Sequence, residues 1–209
     1  NEVVFGGAFV PNNQPVLPDS PYYARTRPMP KRDLARAKAL VAEAQASGGL
    51  GGGPVRLRMF IGTDTVLQRV AQVIQAMVAE AGFDLQLDTV EGTTMVSNTS
   101  KGNFELAFAI WSGRVDPDGN TSVWLSCAGF LNWGKYCNQQ VDEALAKARA
   151  STDQAERAAL YRQAAELYLA DRPQLFLYHP KWLWAATQGL DGFKPHSDGL
   201  IRLEGVKLP

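Results

Sequence analysis

Histidine and cysteine are scarce in this 209-residue chain, which contains two of each. His179 and His196 lie in no recognisable nucleophile motif, and the G-x-S-x-G pattern of the α/β-hydrolases does not occur. Two cysteines and two distant histidines also make a poor set of zinc ligands. We therefore expect this chain not to be an enzyme and to hold no metal and no cofactor.

An excess of charge of one sign is also missing. Lys plus Arg and Asp plus Glu both number 21, so the formal net charge is zero. A nucleic-acid-binding surface normally shows a basic excess, and we therefore expect no nucleic-acid partner. No apolar run reaches the length of a membrane span. The opening residues, Asn1 to Phe5, show neither the positive region nor the apolar core of a signal peptide, and we expect a chain cut from a longer protein.

The two cysteines, Cys127 and Cys137, are separated by nine residues that include Gly129, Asn132 and Gly134. In a cytosolic protein they would be two unrelated free thiols. In an oxidising compartment they would form a disulfide that closes a surface loop. The residues alone leave both alternatives open.

Strand and helix periods alternate in the first half of the chain. Val55–Ile61 and Phe83–Val90 alternate apolar and polar residues as strands do, and Thr65–Ala81 between them has helical spacing. A strand, helix and strand of this length form a crossover unit, which implies parallel strands. Phe104 to Trp111 is more continuously apolar, as a central buried strand would be. The sequence therefore predicts an α/β fold with three layers and a mostly parallel mixed sheet.

Other elements follow from the same patterns. We expect helices over Lys31–Ala46, from Asn138 and from Ser151 to Pro173, short strands at Gln174–Tyr178 and Trp182–Ala186, and an Asp-Pro-Asp-Gly turn at Asp116–Gly119.

The candidate site is the segment from Trp111 to Pro117, at the carboxyl end of the third predicted strand. Ligands of α/β sheets gather at this edge. Trp111 could supply a stacking face, and Arg114 could supply a planar donor group for an anion. The alternative is that Trp111 is part of the core and Arg114 forms a surface ion pair.

Short motifs along the whole chain resemble the extracellular solute-binding proteins of the family that binds oligopeptides, dipeptides and nickel complexes. They are VVFGGAFVPNNQPVLPDSPYY at the start, AKALVAEA at Ala37–Ala44, Ala81-Gly82-Phe83, Gly102–Glu105, the W-x-x-x-x-D-P-D pattern from Trp111, the N-x-x-x-Y-x-N-x-x-x-D pattern from Asn132, and the R-x-x-L-Y pattern from Arg157 with Asp171 and Pro173.

This resemblance implies a lobe of the type II periplasmic binding protein fold. It implies a lead-in over residues 1–30, a ligand-binding lobe over 31–186 and a tail over 187–209 that returns toward a first lobe missing from this chain. The implied partners are a small-molecule or peptide solute, an inner-membrane ABC permease and that first lobe, in the bacterial periplasm. A stand-alone α/β interaction or regulatory domain without a transport role is the alternative.

The resemblance also suggests site residues, which are Trp111, Ser112, Arg114, Asp116 and Asn132. Some dipeptide-binding members have an aspartate where this chain has Arg114, and that aspartate holds the α-amino group of the ligand. Because a cation cannot pair with an ammonium group, Arg114 implies either that the ligand presents an anionic group here or that another residue supplies the counter-charge. Some members bridge the cysteines that correspond to Cys127 and Cys137, which favours the disulfide.

Overall fold

The computed structural model describes residues 2–196 and 198–208. Its elements in chain order are α1 (Glu2–Phe5), β1 (Val10–Pro11), α2 (Leu34–Ala46), β2 (Val55–Ile61), α3 (Thr65–Ala79), β3 (Phe83–Thr89), α4 (Gly92–Ser100), β4 (Leu106–Ala107), α5 (Asp118–Leu125), α6 (Gln139–Ala150), α7 (Gln154–Asp171) and β5 (Tyr178–His179).

The chain divides into two compact units. The first consists of the described residues up to Ala8 together with Pro30–Ile110, and the second of Phe9–Met29 together with the residues from Trp111 onward. The division into a lead-in (1–30), a lobe (31–186) and a tail (187–209) stays a prediction. Asn1, Ser197 and Pro209, which belong to those predicted segments, lie outside the described residues.

The first unit contains a parallel sheet with the strand order β3-β2-β4. Its β2 begins with alternating half-buried and exposed residues and ends in the buried Met59, Phe60 and Ile61. Helix α3 begins after Asp64, whose carboxylate accepts hydrogen bonds from the first-turn backbone and so caps the helix. Its buried Ala71 packs with Met59, Ile61 and Leu85 in the core of this unit. The predicted α/β class and parallel strands are therefore present.

The second unit is built on helices α6 and α7. Buried alanines, leucine and tyrosines on their facing sides form a core that Ala24 and Leu125 complete. Arg172, with the left-handed φ of 54°, ends α7 just before Pro173, which cannot continue a helix. Strands β1 and β5 form a separate antiparallel pair, with Val10 opposite His179.

Four of the predicted elements differ from the structure. The third strand pairs only at Leu106–Ala107, although Phe108 N still donates to Phe60 O at 2.8 Å. Neither Gln174–Tyr178 nor Trp182–Ala186 forms the predicted strand, and only Tyr178–His179 pairs there. The predicted turn at Asp116–Gly119 is wrong in its second half, because Pro117 is the N-cap of α5. Proline has no N–H to lose at a helix start, so Asp-Pro begins a helix here.

Candidate functional site

The segment from Trp111 to Pro117 connects the sheet strand β4 with helix α5, and the side chain of Asn120 fixes its backbone. Asn120 lies in the first turn of α5 and is only 8% exposed. Its Oδ1 accepts from Trp111 Nε1 at 3.1 Å and from Arg114 N at 2.7 Å. Its Nδ2 donates to Arg114 O at 2.8 Å. One buried amide thus satisfies both backbone groups of Arg114 and the indole of Trp111.

Arg114 is exposed, and its guanidinium lies over the ring of Trp111, with 4.4 Å from Cζ to the ring centroid. Arg114 Nη1 donates to Ser112 Oγ at 2.8 Å and to Gly113 O at 2.6 Å. Gly113 has a φ of 75°, a conformation that glycine adopts without a steric cost. Of the described acidic residues, none forms an ion pair with Arg114. The described residues therefore do not form the surface ion pair that is the alternative prediction for Arg114.

The carboxylate of Asp116 is hydrogen-bonded to groups other than Arg114. Its Oδ1 accepts from Asp118 N at 2.9 Å, and its Oδ2 accepts from Arg157 Nη2 at 2.7 Å. The neighbouring Asp118 pairs with Arg149 on α6, at 3.1 Å. The acidic groups of the DPDGN stretch are thus held by arginines of α6 and α7, which leaves Arg114 free of an internal counter-charge.

Tryptophans extend the aromatic face behind Arg114. Trp111 is half-buried and meets Trp124 of α5 edge-to-face, with 5.6 Å between ring centroids. Trp124 meets Trp133 in the same way at 5.4 Å. Aromatic pairs favour this edge-to-face arrangement because of their ring quadrupoles. The site segment is therefore packed onto α5 and, through Trp124, onto the loop that contains the cysteines.

Cys127 and Cys137 form a disulfide, which confirms the pairing that the resemblance favours. Asn132 lies inside the closed loop and is 5% exposed. Its Nδ2 donates to Ser126 O and Tyr136 O, and its Oδ1 accepts from Tyr136 N. Asn132 therefore holds the loop together, and its predicted contact with a ligand stays a prediction.

A second set of polar contacts ties the cysteine loop to the end of α7. Tyr136 and Asn138 both donate to Asp171 Oδ2, at 2.6 and 2.9 Å. These donors lower the pKa of the Asp171 carboxyl, with the Tyr136 hydrogen bond as the larger cause. Burial, with the nearby carboxylate, raises the pKa of Tyr136. Both shifts keep the Tyr136 hydroxyl protonated as a donor to an ionised carboxylate.

The described residues offer no cluster of three or more histidine, cysteine, aspartate or glutamate side chains that could hold a metal ion. Among the same residues, no helix has the length and apolar character needed to cross a membrane. The structure brings Trp111, Ser112 and Arg114 together. Asp116 instead pairs with Arg157, and Asn132 is hydrogen-bonded within the cysteine loop.

Gly119 and Asn120 are the residues that the sequence patterns missed. A Cβ added at Gly119 would lie 2.8 Å from Arg114 Cγ, so the glycine leaves room for the Arg114 side chain. The predicted turn ends at Gly119, whereas both residues occupy the first turn of a helix. The one available signal was an asparagine three residues after the proline that begins that helix.

The fold is that of the type II periplasmic binding proteins. The model of the bacterial extracellular solute-binding proteins, family 5 (its middle part), matches residues 1–132. The chain belongs to this family of bacterial extracellular solute-binding proteins, and its members are binding proteins and not enzymes.

Relatives agree with this assignment. Di/tripeptide-binding protein 4 of Pseudomonas aeruginosa is 32% identical over 99% of this chain and 40% of its own length. Di/tripeptide-binding protein 2 of the same organism is 31% identical over 84% of this chain and 34% of its own length. The ABC transporter-associated periplasmic binding protein DppA of Helicobacter pylori, solved with the peptide STSA, matches with a TM-score of 0.75 and 28% identity over 86% of this chain and 35% of that chain. The predicted type II binding-protein fold is confirmed.

The chain spans between a third and two-fifths of the length of the relatives just named. What those longer proteins bind is therefore a guide to this chain and not a property of it.

Proposed function

We propose that this chain is part of the solute-binding component of an ABC-type peptide importer. It binds a small peptide or a related anionic solute together with a first lobe outside this chain, and the complex delivers the solute to a membrane permease. Relatives that are named as di/tripeptide-binding proteins support peptide as the solute class. The name of the DppA structure, which is ABC transporter-associated, supports the permease as partner.

The proposal depends mainly on the exposure and the contacts of the Arg114 guanidinium. Its guanidinium is exposed, stacks on Trp111 and has no acidic partner among the described residues. A guanidinium binds a carboxylate through parallel N–H donors, and Arg114 has donors other than Nη1 to offer. The aromatic face of Trp111 can pack against an apolar part of the same ligand. We therefore assign the carboxylate of the solute to Arg114, with Ser112 beside it.

The disulfide supports a location outside the cytoplasm. Stable disulfides are rare in cytosolic proteins and common in the periplasm and in secreted proteins. The Cys127–Cys137 bond closes the loop that contains Trp133, and Trp124 packs against this Trp133. We therefore propose the bacterial periplasm as the compartment in which this protein binds its solute.

The test uses the full-length protein that contains this chain. Mass spectrometry of the ligand released from protein purified without added solute should identify a peptide or a peptide-like acid. Calorimetry should then detect binding of trialanine and weaker binding of trialanine amide, which lacks the terminal carboxylate. Equal affinity for trialanine and trialanine amide would contradict the proposed carboxylate contact. Failure of any peptide to bind or to be released would overturn the peptide assignment.

A further inference from the structure

Helix α5 restricts the conformation of Arg114. Its residues hydrogen-bond the backbone of Arg114 and leave little room beside the base of the side chain. The Asn120 amide accepts from Arg114 N at 2.7 Å and donates to Arg114 O at 2.8 Å. The same Asn120 Oδ1 accepts from the indole N–H of Trp111. The buried side chain of Asn120 thus fixes both Trp111 and Arg114.

Gly119 supplies the second constraint. An added Cβ would lie 2.8 Å from Arg114 Cγ and 2.9 Å from Arg114 Cβ, closer than real Cβ contacts come. These atoms are the base of the side chain, so moving them redirects the whole guanidinium. Gly119 has no positive φ, and hence the backbone itself does not demand glycine there. The space is needed by Arg114.

We infer that Gly119 and Asn120 are positioning residues that set the direction of Arg114 and, with it, the preference of the site for a carboxylate. The inference rests on the proposed function, because it assigns a role in binding through Arg114. Arginine has a flexible side chain, and a guanidinium that is already oriented loses less conformational freedom when it binds. A displaced guanidinium misaligns its paired donors, so affinity falls although the charge remains.

The first test is Gly119→Ala in the full-length protein, with Gly92→Ala as its matched control. Both glycines lie in the first turn of a helix without a positive φ, but a Cβ at Gly92 meets nothing within 4 Å. Alanine favours helix over glycine, so neither variant should lose stability from the helix itself. We expect Gly119→Ala to bind trialanine about tenfold more weakly and Gly92→Ala to bind as the wild type does. Equal affinities for the two variants and the wild type would overturn the role of Gly119.

A readout without ligand tests the orientation itself. In the wild type, Trp111 should shift the NMR signal of the Arg114 guanidinium through its ring current, since the two groups stack at 4.4 Å. Gly119→Ala should move this signal toward the position of a free arginine, whereas Gly92→Ala should not. An unchanged signal in Gly119→Ala would contradict the positioning role.

The second variant is Asn120→Ala, and Gln14→Ala is its control. Gln14 is also a buried amide that accepts from one backbone N–H and donates to the carbonyl of the same residue, Ala24. Both variants should lose stability, but only Asn120→Ala should expose the indole N–H of Trp111 to rapid hydrogen exchange and weaken trialanine binding by about tenfold or more. If Asn120→Ala does not fold, Gly119→Ala still decides the question.

The variant Arg114→Ala distinguishes a failure of the positioning role from a failure of the proposed function. If Arg114→Ala weakens binding while Gly119→Ala and Asn120→Ala do not, the positioning role is wrong and the proposed function stands. If Arg114→Ala leaves binding unchanged, the proposed carboxylate contact is wrong and the positioning role in binding falls with it. If the positioning role is right, Gly119→Ala should cost little further affinity in a chain that already carries Arg114→Ala, because the guanidinium that it would displace is already absent. Additive losses would contradict it.

Discussion

The guanidinium of Arg157 and the carboxylate of Asp116 form an ion pair, with 2.7 Å between Arg157 Nη2 and Asp116 Oδ2. The arginine side chain is 12% exposed, whereas that of the aspartate is 60% exposed. Arg157 Nη1 also donates to Ala148 O at 3.2 Å, and its Cζ lies 5.6 Å from the centroid of the Tyr161 ring. Arg157 therefore ties the site segment to α7 and to the last turn of α6.

Removing the two partners of this ion pair should have unequal effects on stability. Asp116→Ala should lower the free energy of unfolding by about 1 kcal/mol, because the lost carboxylate is mostly in solvent. Arg157→Ala should lower it by about 2–3 kcal/mol, because the contact with Ala148 O and the packing on Tyr161 are lost as well. Urea unfolding monitored by circular dichroism measures both. A larger effect for Asp116→Ala would contradict this account.

Much of the fold could be predicted because its periodic segments are long. Val55–Ile61 was predicted with the bounds of β2, and α3 was predicted within two residues of its end, since alternation and helical spacing record which face is buried. The strand around Leu106 could not be bounded, and the strand expected at Trp182–Ala186 does not form, because an apolar run shows burial and not pairing. Pairing depends on neighbours that are distant in sequence.

The residues of the candidate site likewise differ in whether the sequence alone can predict them. Trp111 and Arg114 could be chosen as candidates because their side chains have chemistry that suits a ligand. Asn120 and Gly119 could not, because their importance lies in a contact with Arg114 that only the start of α5 creates. The pairing of Asp116 with Arg157, 41 residues further along, is likewise a tertiary contact without a local signal.

Tyr161 should respond to substitution in an unusual direction. Its hydroxyl is buried and has no hydrogen-bond partner among the described residues. Tyr161→Phe should therefore leave the free energy of unfolding at neutral pH unchanged or raise it by about 1 kcal/mol, because a buried hydroxyl without a partner is a cost. Urea unfolding at neutral pH tests this, with Tyr136→Phe as the control. Tyr136→Phe should be destabilising, since it removes the hydrogen bond to Asp171.

The same tyrosine should contribute to alkaline unfolding. Burial raises the pKa of Tyr161 to about 12, and burial also raises the pKa of Tyr168. In the unfolded chain tyrosine ionises near pH 10, so the stabilisation is fully present below about pH 10 and is lost as the pH rises above it. The urea midpoint should fall between about pH 10 and pH 12, which is the interval between the unfolded and the folded pKa of Tyr161, and it should fall less in Tyr161→Phe. A midpoint that does not change over this range would contradict the raised pKa values.

The disulfide should stabilise the second unit by constraining the unfolded chain. Closing a loop with a sequence separation of 10 residues stabilises by about 2–3 kcal/mol in the chain-entropy model. Reduction of the wild type should lower the urea midpoint accordingly, and the variant with both cysteines replaced by serine should not respond to reductant. A free-thiol assay on unreduced, denatured protein should find no reactive thiol. Two reactive thiols would contradict the bond and weaken the periplasmic proposal.

Arg114→Ala should be the variant that weakens solute binding without weakening the fold. Arg114 has no ion pair with a described residue, and its guanidinium contacts only Ser112, Gly113 and the Trp111 ring. The full-length protein should therefore unfold at the wild-type urea midpoint, but trialanine should bind more weakly by about 2–5 kcal/mol, since a desolvated carboxylate loses its cation. Arg56→Ala is the matched control, because Arg56 is 84% exposed and its contact with Asp84 is 3.6 Å long. Calorimetry should show wild-type affinity for Arg56→Ala, and for Arg114→Ala a loss that is much smaller with trialanine amide than with trialanine. An equal loss for the acid and the amide would mean that Arg114 acts on the shape of the site and not on the carboxylate.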